Sequence, residues 1–280
     1  MSQYIHDSGN FEGVGGLKIF FQFFKPKKYN GVIIYAHDSG EHSGRYIHVI
    51  EHFIDKGFSF YGLDHRGNGR SEGKRGHING MSDYVNDLWT FINIVRKRES
   101  DKKYFLLGHS MGGLIGINFV EEHPGLLDGV IVTSLPLKTK TEVLGLREFI
   151  GRQLSAFWPR YSLSNEFDPI YLSHDKDVIK KYMEDKLVHN KVTARFFTEM
   201  VSAMKSAMQK AENIKTPFLI LHAGDDEIAD PAGSVEFFEK LGSSDKKLIV
   251  YDGFFHEILN EADRQLVYRD IEKWLKPRVD

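Results

Sequence analysis

A chain of 280 residues, 41% of them hydrophobic, has the material for one large α/β unit with an insertion and is not a disordered sequence. Its 37 basic and 39 acidic residues leave a formal charge of −2 with no block of one sign, which excludes the electrostatic footprint of a nucleic-acid binder. The lack of cysteine excludes disulfides, thiolate metal sites and a cysteine nucleophile, while the polar start MSQYIHDSGN and the lack of a run near the roughly 20 apolar residues that span a bilayer predict a cytoplasmic protein.

In chain order, a glycine-rich turn at 13–16 is followed by an early hairpin strand at 17–24 and by Val32-Ile-Ile-Tyr-Ala36, a strand with no polar face. Further near-continuous apolar runs at 58–63, 104–107, 130–133, 218–222 and 247–251 read as strands covered on both sides, the pattern of a parallel sheet. Between them, 46–56, 82–99, 111–123, 234–241 and 261–275 carry apolar residues at three- and four-residue spacing and predict helices. The rhythm breaks after Leu135, so the sequence predicts a core formed by 1–135 and 213–280 with an inserted helical cap at 136–212. Within the cap, Leu146, Phe149, Ile150, Leu154, Phe157 and Trp158 share one stripe, and Phe197, Met200, Val201, Met204 and Met208 another. Each is either an apolar entrance for an acyl chain or ordinary packing against the sheet.

Gly108-His109-Ser110-Met111-Gly112 lies between the strand at 104–107 and the helix at 111–123, which places Ser110 on a sharp strand-to-helix turn that exposes its hydroxyl. The Met111 N–H then sits at a helix N-terminus, where unpaired donors and the dipole favour a developing negative charge. A serine needs a base held by a carboxylate. His256 follows the strand at 247–251 and Asp226 follows the strand at 218–222, so both belong to the sheet edge that carries Ser110, in the Ser, Asp, His order of α/β-hydrolases. Asp225 should face away and Asp230 precedes the proline that opens a helix, while His222, inside a strand, reads as a core histidine. His48-Val-Ile-Glu-His52 matches a zinc pattern, but Ile47, Ile50 and Ile54 on the opposite face explain it as an amphipathic surface helix.

Four segments together resemble the monoacylglycerol lipase and lysophospholipase group of α/β-hydrolases: Gly40-Glu-His-Ser-Gly-Arg-Tyr46, Asp64-His-Arg-Gly-Asn-Gly-Arg-Ser71 with its continuation to His77, Gly108 to Gly113, and His256-Glu-Ile-Leu-Asn-Glu261. The resemblance implies a mostly parallel doubly wound sheet, hydrolysis of a glycerol ester carrying one acyl chain, and Ser110, Asp226 and His256 as the triad. It implies oxyanion amides at Ser39 and Met111, and substrate contacts from Glu41, Arg45 and His109, although Glu41 and Arg45 read equally well as a pair that fixes the oxyanion loop. Two positions depart from the pattern. Asp38 replaces a glycine of the oxyanion loop and is expected to point away towards a basic neighbour, and Asn68 replaces a histidine and is expected to be tolerated.

The resulting expectation is a serine carboxylester hydrolase acting on a small lipid ester, without cofactor or metal, with transient membrane or micelle contact through the cap. Its rivals are a lysophospholipase, a broad carboxylesterase and a non-catalytic ligand-binding protein on the same fold.

Overall fold

The computed structural model describes residues 4–138, 144–165 and 167–279, and for residues 144–147 the backbone alone. Among these residues an eight-stranded sheet runs in the order β1 (Tyr4–Glu12), β2 (Lys18–Pro26), β4 (Phe58–Leu63), β3 (Gly31–Ala36), β5 (Lys103–His109), β6 (Gly129–Thr133), β9 (Phe218–Ala223), β10 (Lys246–Tyr251). The pairs β1–β2 and β2–β4 are antiparallel and every other pair is parallel. Strands β3, β4, β6 and β9 are buried at every residue, as their unbroken apolar sequences require.

Helices α2 (Met81–Arg98) and α3 (Met111–Glu122) supply one apolar layer, with Leu88, Phe91, Leu114 and Phe119 fully buried. On the opposite face α1 (Ile47–Ile54) and α8 (Gln265–Val279) pack Phe53, Tyr268 and Leu275. Helix α7 (Pro231–Lys240), capped by Asp230, lies on β9 and β10.

Between β6 and β9 the chain leaves the sheet for α4 (Leu144–Phe157), β7 (Ser162–Ser164), α5 (Lys176–Glu184), β8 (Lys191–Thr193) and α6 (Ala194–Lys210). Strands β7 and β8 pair with each other alone, and β7 is exposed throughout. The two apolar stripes expected here part company. On α6, Val201 is buried and Met200, Met204 and Met208 pack against the main core, whereas Phe149, Ile150 and Phe157 of α4 and Trp158 just after it stay exposed. Leu146, expected on the α4 stripe, lies outside the residues whose side chains are described.

Register brings the loops of the site together. Ala36 pairs with Gly108 and Thr133 with Leu221, so the segments after β3, β5, β6 and β9 leave the sheet at one level. Among the described residues no helix is long and apolar enough to cross a membrane.

Candidate active site

Ser110 connects β5 to α3 with φ 48° and ψ −114°, a conformation that side chains avoid and that stores strain. Its N–H donates to the Thr133 carbonyl at 2.9 Å, and its carbonyl accepts from Leu114 N–H at 3.1 Å, so the chain on either side holds the strained residue in place. A Cβ at Gly112 would stand 2.0 Å from the Ala36 carbonyl oxygen, so glycine there is what lets the turn press against β3.

Asp226 and His256 form the pair expected from the sequence. His256 Nδ1 lies 2.7 Å from Asp226 Oδ2, and both side chains are fully buried. The other carboxylate oxygen of Asp226 accepts the N–H groups of Ile228 at 2.8 Å and Ala229 at 2.9 Å. Burial penalises this carboxylate, but His256, His222 and the Ala229 amide outweigh it and hold the group far below the usual aspartate range. Burial likewise opposes the His256 imidazolium, yet Asp226, Asp38 and Glu257 prevail and raise its pKa above the ordinary 6.5. The rival carboxylates are disposed of as expected: Asp225 is exposed, and Asp230 caps α7 by accepting from Ala232 N–H at 2.9 Å. His222 is indeed a buried core histidine, bonded to Ser234 Oγ at 2.6 Å, and it also touches Asp226 at 3.3 Å.

The third link, from His256 to Ser110, is not made in this conformation, because His256 Nε2 is buried without a hydrogen-bond partner. Asp38 overturns its expectation. Rather than pointing away, its Oδ1 accepts the Met111 N–H at 3.1 Å, and its Oδ2 stands 3.9 Å from His256 Nε2. The physical reason lies in the neighbours: the free amide of a helix N-terminus and the imidazoles of His256 and His109 face the carboxylate, and the amide attracts negative charge. The loop that carries Asp38 and Ser39 is itself clamped. His37 Nδ1 bonds the Asp38 carbonyl at 2.6 Å, and Gly40 N–H donates to Asn68 Oδ1 at 3.0 Å. Asn68 is therefore more than tolerated, since its side chain holds the loop of Asp38 and Ser39 in place.

Glu41 and Arg45 pair with each other, and Arg45 also grips Glu257 with two bonds of 2.7 and 3.0 Å. Tyr46 donates to Glu41 at 2.7 Å, and the Arg45 guanidinium lies 4.7 Å from the Tyr182 ring of α5. Of the two readings open for this pair, the geometry matches the one that fixes the loop. Burial raises the Glu41 carboxyl against the pull of Arg45, whereas two bonds from Arg45 hold Glu257 below its ordinary value despite burial. Glu257, which sequence reasoning passed over, is thus the counter-ion of Arg45; its place beside His256 in the last motif was the available signal. His109 bonds Thr133 Oγ1 through Nδ1 at 2.8 Å, and its ring lies 5.0 Å from that of His256. Burial and the nearby His256 push its pKa down to about 4. In the declined zinc pattern His48 bonds the Leu259 carbonyl at 3.1 Å and His52 faces Glu272, so its members serve as helix contacts.

A mostly parallel eight-stranded sheet with a serine on the turn after β5, and a buried Asp–His pair on the loops after β9 and β10, is the architecture of the α/β-hydrolases. The family model described as serine aminopeptidase, S33, matches residues 27–263, and the chain belongs to that hydrolase family. A monoacylglycerol lipase of Mycolicibacterium smegmatis is 32% identical over 95% of this chain and 95% of its own. An uncharacterised abhydrolase domain-containing protein of Dictyostelium discoideum is 34% identical over 87% of this chain, which spans only 26% of that larger protein. The crystal structure of the Paleococcus ferrophilus monoacylglycerol lipase, 30% identical, superposes with a TM-score of 0.83 over 99% of this chain and 100% of that one.

Proposed function

We propose that the chain is a serine carboxylester hydrolase that cleaves monoacylglycerol to glycerol and fatty acid. The observation that carries the reading is the buried Asp226–His256 pair at the edge where the strained Ser110 turn emerges. Ser110 Oγ adds to the ester carbonyl while its proton passes to His256 Nε2, and the oxyanion is received by the amides of Met111 and Ser39. His256 returns the proton to the departing glycerol oxygen as the C–O bond breaks. The same imidazole then deprotonates a water that releases the fatty acid from the acyl-enzyme. In this sequence Asp38 leaves the Met111 N–H when substrate arrives, and His256 swings its free Nε2 onto Ser110, a contact that often tightens only in the substrate complex.

The segment 136–212 acts as the cap, and the exposed Phe149, Ile150, Phe157 and Trp158 of α4 and the residue after it give it an apolar face suited to a lipid surface. A fluorophosphonate probe is expected to label the wild type and not Ser110→Ala. On a substrate panel, monoacylglycerol is expected to exceed lysophosphatidylcholine and aminoacyl amides in kcat/KM. Unchanged labelling of Ser110→Ala overturns the mechanism, and preference for lysophospholipid overturns the substrate.

A further inference from the structure

Three polar groups converge where the proposed chemistry requires only one. The Nε2 atoms of His256 and His109 are both buried without a hydrogen-bond partner, and the carboxylate of Asp38 stands beside them. One donor atom from each of the three lies within 4.8 Å of the other two. The opposite edge of each ring is already fixed, His256 by Asp226 at 2.7 Å and His109 by Thr133 at 2.8 Å, so both rings present Nε2 to the same point. Two imidazoles steadied from behind by oxygen partners, plus one carboxylate, is the donor set of three-ligand zinc sites, which leave a further position open. A base needs a single nitrogen, so Ser110 hydrolysis alone accounts neither for the second unpaired imidazole nor for a carboxylate on an oxyanion donor.

We infer that Asp38, His109 and His256 form a binding site for one Zn²⁺ ion, whose occupation excludes ester hydrolysis. Ligands on a tetrahedral zinc at 2.0–2.1 Å stand roughly 3.3 Å apart. The 3.9 Å between Asp38 Oδ2 and His256 Nε2 therefore closes with a small side-chain adjustment, while Asp38 Oδ1 keeps the Met111 amide. The exclusion follows from shared electrons: the Nε2 lone pair that binds the ion is the one that must accept the Ser110 proton. Positions 38, 109 and 256 share no local spacing, which is why no linear metal pattern marks the site. Imidazole nitrogen selects zinc over the oxygen-seeking Mg²⁺ and Ca²⁺.

Binding stands independently of the hydrolase reading, whereas the inhibition rests on it, and the experiment separates the two. Protein stripped with EDTA and dialysed free of chelator is titrated with ZnCl₂ by calorimetry, alongside fluorophosphonate labelling and hydrolysis of a dissolved short-chain ester. One Zn²⁺ per chain is expected, with labelling and turnover lost in step with occupancy, and no effect from MgCl₂ or CaCl₂. Asp38→Gly and His109→Gln are each expected to weaken binding at least tenfold, and Ser110→Ala, which cannot be labelled, is expected to bind as the wild type does. Absence of saturable 1:1 binding, or zinc affinity untouched by both ligand substitutions, overturns the site. Stoichiometric binding that leaves turnover intact overturns the exclusion. Failure of wild-type labelling before any zinc is added counts against the hydrolase reading alone.

Discussion

Asp38 is the residue whose position most changes what this enzyme is expected to do. Losing one oxyanion donor typically lowers turnover by about 10²–10³-fold, and the Met111 amide, proposed above as such a donor, is engaged by the Asp38 carboxylate. Asp38→Gly, measured in EDTA on a dissolved short-chain ester, is expected to raise kcat by about 10–10²-fold, because the donor is then free for the oxyanion; an unchanged or lower kcat would count against the arrangement. The same carboxylate contributes, with Asp226 and Glu257, to the raised pKa of His256, which burial alone would have lowered. A protonated imidazole cannot accept the Ser110 proton, so kcat/KM in EDTA should be level at high pH and fall as pH drops through a value above 6.5. In Asp38→Gly that limb is expected to move to lower pH, since one stabilising negative charge is gone; movement to higher pH contradicts the assignment. Ser110, Asp226 and His256 were legible in the sequence because each follows a recognisable strand. The direction of Asp38 was not, because a rotamer answers to neighbours from β5–α3 and β10 that no local spacing records. The contacts of Asn68, expected only to be tolerated, and of Glu257 were not legible for the same reason, as both act on residues more than 25 positions away.

At the scale of elements, the ion pairs divide sharply by environment. Arg45 is buried between two carboxylates, and Arg45→Ala leaves Glu41 and Glu257 without their cation. Breaking a buried pair in this way costs about 3–5 kcal/mol, which a denaturant titration would read as a lowered midpoint with an unchanged slope. Arg152, mostly exposed on α4 beside Glu148, is the contrast: Arg152→Ala is expected to shift stability by no more than about 1 kcal/mol. The central parallel strands were readable because burial on both faces leaves an unbroken apolar run, whereas β10, expected to be covered on both sides, is an edge strand that buries only Tyr251. The hairpin strand β1 was not, because Tyr4–Glu12 buries only Phe11 fully and reads as a polar segment. The last helix begins at Gln265 rather than Glu261, because the Glu261 side chain is taken up by His174 and by the Phe255 and Ala262 amides, which keeps that stretch as a loop.

Across the whole molecule, the inserted segment is fastened to the very loops that carry the site. Tyr171 and Leu172 accept the amides of His256 and Glu257, Gly40 accepts that of His189, and Gly76 accepts that of Thr193. These bonds tie the inserted segment to the loops of the site, while α4 itself packs on α6. The double substitution of Phe157 and Trp158 by serine removes two side chains worth about 1.5–3 kcal/mol each when fully buried in an apolar phase. Hydrolysis of monoacylglycerol in vesicles is expected to fall at least tenfold more than hydrolysis of a dissolved ester; equal losses on both would show that the helix does not meet the lipid.

The outermost position of β10 has an effect on timing. Its pairing of Tyr251 with Ala223 is the final stitch of the sheet, and the histidine loop hangs from it. On the proposed mechanism, a nascent chain that has not yet emerged through β10, the last strand among the described residues, lacks the imidazole and cannot react. A ribosome-bound fragment ending before β10 should accordingly fail to react with a fluorophosphonate.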